Sequence, residues 1–122
     1  MILYFDTEIT FFNKGNPFDK RNFGVCIGWQ TSEGEGGVFF IGEEDEAFKR
    51  ALASARIAVG FNLKFDLHWL KRMGYSLPRK VHCCQVAEFT LGGQSPKYPS
   101  LDETCQSYGV PKKLDIIQTE VS

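Results

Sequence analysis

The chain opens with a strand that is apolar on both faces, and this strand limits the folds that the chain can adopt. Residues 1–9 are predicted to be extended, and residues 2–5 (Ile-Leu-Tyr-Phe) leave neither side polar. Such a strand is typical of the centre of a sheet that is covered by helices. Asp6 and Glu8 follow at its carboxyl end. Because residues i and i+2 share a face of a strand, these acids are predicted to stand side by side, about 6.5–7 Å apart.

Alternating strand and helix patterns predict an α/β (or α+β) fold. Strands over residues 23–31 and 38–41, joined by a turn at 32–37, give a three-stranded antiparallel start if the first strand pairs with the second. A helix over 43–55 then leads to an apolar strand over 57–61, which implies a parallel crossover. The order predicts a mixed sheet with helices packed on it. The remaining predicted elements are a helix over 62–73, a strand over 80–84, and helices over 85–92 and 100–108.

Length and charge bound the class of protein. A chain of 122 residues suffices for one domain with a hydrophobic core. The formal net charge of -1 argues against a protein that coats nucleic acid by charge alone, but not against an enzyme that holds a nucleic-acid end through metal ions. The sequence has no apolar run long enough for a membrane span and no basic segment before its apolar start, so we expect no membrane and no signal peptide.

The cysteines predict a reducing compartment. Their spacing matches no zinc pattern, and free thiols in a cytoplasmic protein are the simplest interpretation. For the run of residues 82–84 (His-Cys-Cys), a metal cluster and half-buried thiols on a strand are both conceivable, and the second is favoured. The four thiols belong to Cys26, Cys83, Cys84 and Cys105.

The helix predicted over residues 62–73 places one acid, Asp66, in the middle of its apolar side. Burial of an unpaired carboxylate is costly, so this side chain needs a partner. A metal ion or a metal-bound water is one candidate, and a salt bridge or a hydrogen bond near the helix end is the other; the pattern favours neither. Asn62 is predicted to cap the helix. Lys64 and His68 are predicted to lie on its solvent side.

The run Asp6-Thr7-Glu8, followed further along by residues 62–66 (Asn-Leu-Lys-Phe-Asp), resembles the D-x-E and N-x-x-F-D motifs of the proofreading 3′→5′ exonuclease family. The fold of that family is called ribonuclease H-like, or DnaQ-like. Residues 98–102 and 108–113 also resemble exonuclease domains of phage and bacterial family A DNA polymerases. The resemblance implies a 3′→5′ exonuclease domain over residues 1–122, which we expect to be incomplete.

The resemblance also implies a metal site. Asp6 and Glu8 would bind the catalytic ion, Asp6 would contact both ions, and Asp66 would help to hold the second, largely through water. Mg²⁺ and Mn²⁺ are the expected ions, because hard cations prefer oxygen ligands. Two such ions would support hydrolysis of phosphodiester bonds by in-line displacement.

Other residues are implied to contact the nucleic acid. Thr7 would place its backbone near the terminal nucleotide, and Asn62 and Phe65 would line the pocket for the 3′ end. Phe11 and Phe12 would form an apolar wedge against the terminal bases, although core packing is the competing interpretation. The expected substrates are single-stranded or frayed DNA 3′ ends, and the residues do not distinguish DNA from RNA.

The family's third motif, a Tyr or His base followed by an Asp, is not found after Gly109. Asp115 and Glu120 are the late acids, and neither has the expected Tyr or His before it. Two main hypotheses follow, and a third, less favoured one is another ribonuclease H-like enzyme such as a nuclease or a transposase-type fold. Either a polymerase chain supplies the missing part, or the chain is a catalytically weak or inactive exonuclease-like module that binds nucleic-acid ends or a protein partner. Without the third motif, we expect weak or absent hydrolysis by the isolated chain.

Overall fold

A computed structural model describes residues 1–10, 12–93 and 98–110 of the chain. Within these ranges, a five-stranded mixed sheet in the order β3-β2-β1-β4-β5 is combined with four α-helices. The elements are β1 (Ile2–Ile9), β2 (Gly24–Thr31), β3 (Gly36–Phe40), α1 (Glu46–Ser54), β4 (Ile57–Gly60), α2 (Leu63–Arg72), β5 (Val81–Cys83), α3 (Cys84–Leu91) and α4 (Leu101–Tyr108).

Strand β1 lies at the centre of the sheet, as its apolar sequence predicts. It pairs antiparallel with β2, where Phe5 lies opposite Trp29, and parallel with β4, where Leu3 lies opposite Ala58. Strand β5 then adds in parallel beside β4. The antiparallel start and the parallel crossover through α1 are therefore both confirmed.

The core lies between one face of the sheet and helices α1 and α2, and Phe48 of α1 is its centre. Phe48 is 0% exposed. Its ring lies within aromatic packing distance of four others, with centroid separations of 6.4 Å to Phe5, 6.0 Å to Trp29, 5.5 Å to Phe39 and 5.4 Å to Tyr75. These contacts bind α1, three strands and the segment after α2 into one unit.

Helix α1 begins at Glu46, later than the sequence pattern indicated. The two preceding glutamates use their side chains in a turn: Oε1 of Glu43 accepts the N–H of Phe40 at 2.8 Å, and Oε1 of Glu44 accepts that of Glu46 at 2.6 Å. Acidic side chains that bond local backbone N–H groups compete with helix formation. Glu43 and Glu44 therefore belong to the turn before the helix.

Helices α3 and α4 contain no buried residue in the described part of the chain. The rings of Phe89 and Tyr98 stack at 4.1 Å, and the hydroxyl of Tyr108 donates to Glu88 at 2.6 Å. Oγ of Ser100 accepts the N–H of Glu103 and so caps α4. None of the helices described has the length and hydropathy needed to cross a bilayer.

Tyr75 and Asp45 connect the segment after α2 to the start of α1. The Tyr75 hydroxyl donates a 2.6 Å hydrogen bond to Oδ2 of Asp45, and this bond, assisted by Lys49, lowers the pKa of the Asp45 carboxyl. A group with a lowered folded-state pKa stabilises the protein above its ordinary pKa and loses that contribution as the pH falls through the lowered value.

Tyr75→Phe is therefore expected to cost about 1 kcal/mol of unfolding free energy at pH 7 and less at pH 3. Urea unfolding of both proteins at the two pH values measures this difference. An equal loss at both pH values would contradict the assigned role of the charged Asp45.

Candidate active site

Asp6 and Glu8 lie on one face of β1 at its carboxyl end. Both are half-buried, whereas Phe5, Thr7 and Ile9, which alternate with them, are buried on the core side. Asp6 lies opposite Gly28 of β2, so the neighbouring strand presents no side chain next to it. The two carboxylates therefore share a partly open face of the sheet.

Asp66 reaches β1 from the core side. Its side chain is 3% exposed, as its place on the apolar side of α2 predicts, and its Oδ1 accepts a 2.5 Å hydrogen bond from Oγ1 of Thr7. Oδ2 of Asp66 lies close to Gly60 at the end of β4, since a Cβ added to this glycine would be 3.8 Å from that oxygen. Asp66 thus lies where the parallel strands β1 and β4 both end, which is where α/β sheets commonly bind ligands.

The three predicted metal ligands approach β1 from two sides. Thr7 lies between Asp6 and Glu8 in sequence and points to the opposite face, where it holds Asp66. Across the described ranges, no three His, Cys, Asp or Glu residues are grouped closely enough to hold a metal ion. The all-oxygen donor set fits Mg²⁺ or Mn²⁺. Asp6 and Glu8 are the accessible members of that set.

Asn62 occupies the N-cap position of α2, but the predicted side-chain cap is wrong. Its backbone is left-handed, with φ 56° and ψ 50°, and its side chain makes no capping hydrogen bond. Capping needs an extended backbone at this position. Instead, the Asn62 carbonyl accepts the N–H of Phe65 at 3.1 Å. Asparagine tolerates this conformation better than most residues, and the Asn62 side chain is exposed.

The loop after β1 is held against α2 by two side chains. Nε1 of Trp69 donates to the carbonyl of Gly15 at 3.1 Å, and the Arg72 guanidinium donates to three further loop carbonyls. The ring of Phe65 packs against Gly15. The sequence pattern did not identify these contacts of Arg72. The three carbonyls bound by Arg72 belong to Pro17, Asp19 and Asn22.

A family model described as 3′-5′ exonuclease matches residues 2–118 of the chain. The chain belongs to the 3′-5′ exonuclease family. This confirms the family that the D-x-E and N-x-x-F-D motifs indicated. Members are hydrolytic nucleases. No curated protein sequence matches the chain.

Solved structures share the fold of this exonuclease-family chain. Brucella melitensis NrnC with bound Mg²⁺ is 21% identical with a TM-score of 0.72, over 99% of this chain and 60% of that one. NrnC bound to pGG is 20% identical with a TM-score of 0.69, again over 99% and 60%. A family B DNA polymerase from the hyperthermophilic archaeon Pyrobaculum calidifontis is 21% identical with a TM-score of 0.59, over 91% and 18%. The chain thus spans about three fifths of NrnC, and the predicted ribonuclease H-like fold is confirmed.

Some predicted residues of this exonuclease-family chain lie outside the described part. They are Phe11, the side chain of Phe12, and the late acids Asp115 and Glu120. The wedge against terminal bases therefore stays a prediction.

The thiols are free, as predicted. Cys26 is buried and the other three are half-buried. Sγ of Cys83, at the end of β5, accepts the N–H of Leu63 at 3.3 Å, which places that thiol at the start of α2. Burial, with Cys83 and Glu88 nearby, raises the pKa of Cys84.

Proposed function

We propose that this chain hydrolyses phosphodiester bonds from the 3′ end of nucleic acid, with divalent metal ions held by Asp6, Glu8 and Asp66. The observation that carries the proposal is the hydrogen bond from Thr7 to Asp66, because it joins the two exonuclease motifs at one point of the sheet. Asp6 and Glu8 flank Thr7 in sequence, so all four residues converge on the carboxyl end of β1.

The donor chemistry of the three acids suits this role. Carboxylate oxygens are preferred ligands of Mg²⁺ and Mn²⁺, and one of the NrnC structures contains Mg²⁺. When bound, two such ions supply an activated water and stabilise the leaving 3′ oxygen. Asp6 and Glu8 would provide the negative charge on the open face. Thr7 would hold Asp66 in one orientation at the carboxyl end of β1.

The residues around this point suit a nucleic-acid end. Asn62 presents an exposed amide beside the site, and Phe65 is fixed by its contact with Gly15. NrnC has been solved bound to pGG, and the polymerase neighbour acts on DNA by its name. We propose single-stranded or frayed 3′ ends as the substrate, with a polymerase chain as a candidate source of the third motif. A cytoplasmic location stays a prediction.

A second candidate function is an exonuclease-like module that binds nucleic-acid ends and turns over weakly or not at all. The observation in its favour is that the described ranges contain no group of three metal ligands. Both candidates predict binding to a single strand, and hydrolysis separates them.

The purified chain should be incubated with a single-stranded DNA labelled at its 5′ end, with Mn²⁺, Mg²⁺ or EDTA. We expect a slow ladder of products shortened from the 3′ end with either metal and none in EDTA. A parallel RNA substrate tests the nucleic-acid class. Binding without shortening would favour the second candidate. Digestion from the 5′ end, or digestion that persists in EDTA, would contradict the exonuclease proposal.

A further inference from the structure

The charges of the chain are unevenly distributed along the sequence. Residues 33–46 contain six acids and no Lys or Arg, whereas residues 47–87 contain eight Lys and Arg and a single acid, Asp66. That acid is buried and bonded to Thr7. The surface of α2 is therefore basic, although the whole chain has a net charge of -1.

The outer face of α2 carries a row of three basic side chains. Lys64, His68 and Lys71 are exposed and follow one another at spacings of four and three residues, which places them on one side of the helix. At 1.5 Å per residue, the row extends about 10 Å along the helix axis. It begins two residues from Asp66, at the end of the helix that carries the candidate active site.

An apolar groove runs beside this row. It has a volume of about 410 Å³ and lies between α2 and β5. It is lined by the apolar side chains of Leu67, Leu77 and Val81 and by Lys64, His68 and Lys71. Leu77 and Val81 are themselves exposed. Apolar side chains and the lysines of α2 therefore lie next to each other on this surface.

An aromatic ring completes the surface. Phe18, in the loop after β1, is 79% exposed, and its ring lies edge-on to His68 with centroids 5.7 Å apart. Trp69 and Arg72 hold this loop on α2. Phe18 therefore lies on a loop that is held in place. Its ring is exposed and does not contribute to the hydrophobic core.

We propose that the outer face of α2, together with Phe18, binds the backbone of single-stranded nucleic acid and leads its 3′ end to the candidate active site. Proteins that bind single strands combine cations for the phosphates with exposed rings and apolar grooves for the bases. The surface contains each of these features and, within α2, no exposed acid. The direction of the bound strand, with its 3′ end towards the candidate active site, rests on the proposed function. The binding itself does not require hydrolysis.

Fluorescence anisotropy with a labelled oligothymidine in EDTA measures this binding without hydrolysis. Lys64→Gln/Lys71→Gln should weaken binding at least about fivefold and should reduce the slope of log affinity against log salt by about 1.4, which corresponds to two lost phosphate contacts. The matched control is Lys49→Gln/Arg50→Gln on the exposed side of α1, which removes the same charge and should change binding less than about twofold.

Phe18→Ala provides an independent signature. Loss of a stacking ring should weaken binding about fivefold or more, but should leave the salt dependence unchanged because no phosphate contact is removed. The ring is mostly exposed, so we expect this variant to fold as the wild type does.

Several outcomes would overturn the inference. These are unchanged binding by the α2 double variant, equal weakening by the α1 control, and an α2 variant that alters the oligomeric state in sedimentation but not binding, which would assign this face to a protein interface. Failure of the proposed function is distinguishable. A chain that binds in EDTA through α2, but never shortens DNA, refutes only the exonuclease proposal.

Discussion

Asp6→Asn is expected to reduce metal-dependent shortening of DNA from its 3′ end by at least about 10²-fold while the fold stays intact. The amide has the shape of the carboxylate but not its charge, so it no longer attracts a divalent cation. Asp6 is half-buried opposite Gly28, and no neighbouring side chain on β2 has to adjust. Product ladders resolved on gels give the rates, and circular dichroism with thermal unfolding checks the fold.

Glu8→Gln should behave in the same way, since Glu8 shares the open face with Asp6. The matched control is Glu33→Gln, because Glu33 is an exposed acid in the turn between β2 and β3, away from the site. It should leave the rate unchanged. Undiminished digestion by Asp6→Asn would sink the assignment of Asp6 as a metal ligand. A comparable loss in the Glu33 variant would indicate a general effect of charge instead.

Phe48→Ala is expected to lower the free energy of unfolding by about 3–5 kcal/mol. The substitution empties the centre of the core, where one ring contacts four others, and the surrounding sheet and helix cannot close the space completely. Domains of this size are stable by only about 5–15 kcal/mol, so the loss removes a large part of the total. Urea denaturation followed by tryptophan fluorescence measures it.

Phe40→Ala is the matched control for this prediction. Phe40 is the same residue type on β3, but it lies on the other side of the sheet and is exposed. It should cost less than about 1 kcal/mol. Similar losses for the two variants would mean that Phe48 is not the centre of the core.

The sequence correctly predicted the features that depend only on residues close together in the chain. The strands and helices appear in the predicted order, because alternation along a strand and the helical repeat are visible within a few residues. Asp66 was identified as a buried acid for the same reason, since its position in the helical repeat alone places it among apolar neighbours. The cap of α4 by Ser100 is equally local.

Features that depend on distant contacts could not be predicted. The partner of Asp66 is Thr7, 59 residues earlier, and no pattern within either segment links the two. The clamp of Arg72 on the loop after β1 joins residues 50 to 55 positions apart. The late start of α1 has another origin, which is competition between nearby backbone and side-chain hydrogen bonds.

The central place of β1 sets an order for folding. Leu3 pairs with Thr31 in the antiparallel part of the sheet, but Ile2 pairs with Ile57 across the parallel crossover. Contacts between residues far apart in sequence require closure of a longer loop, and they form later when other terms are equal. The first three strands are therefore expected to assemble before β4 and α2 join them. Asp66 would reach Thr7 only after that step, so the candidate active site would form late in folding.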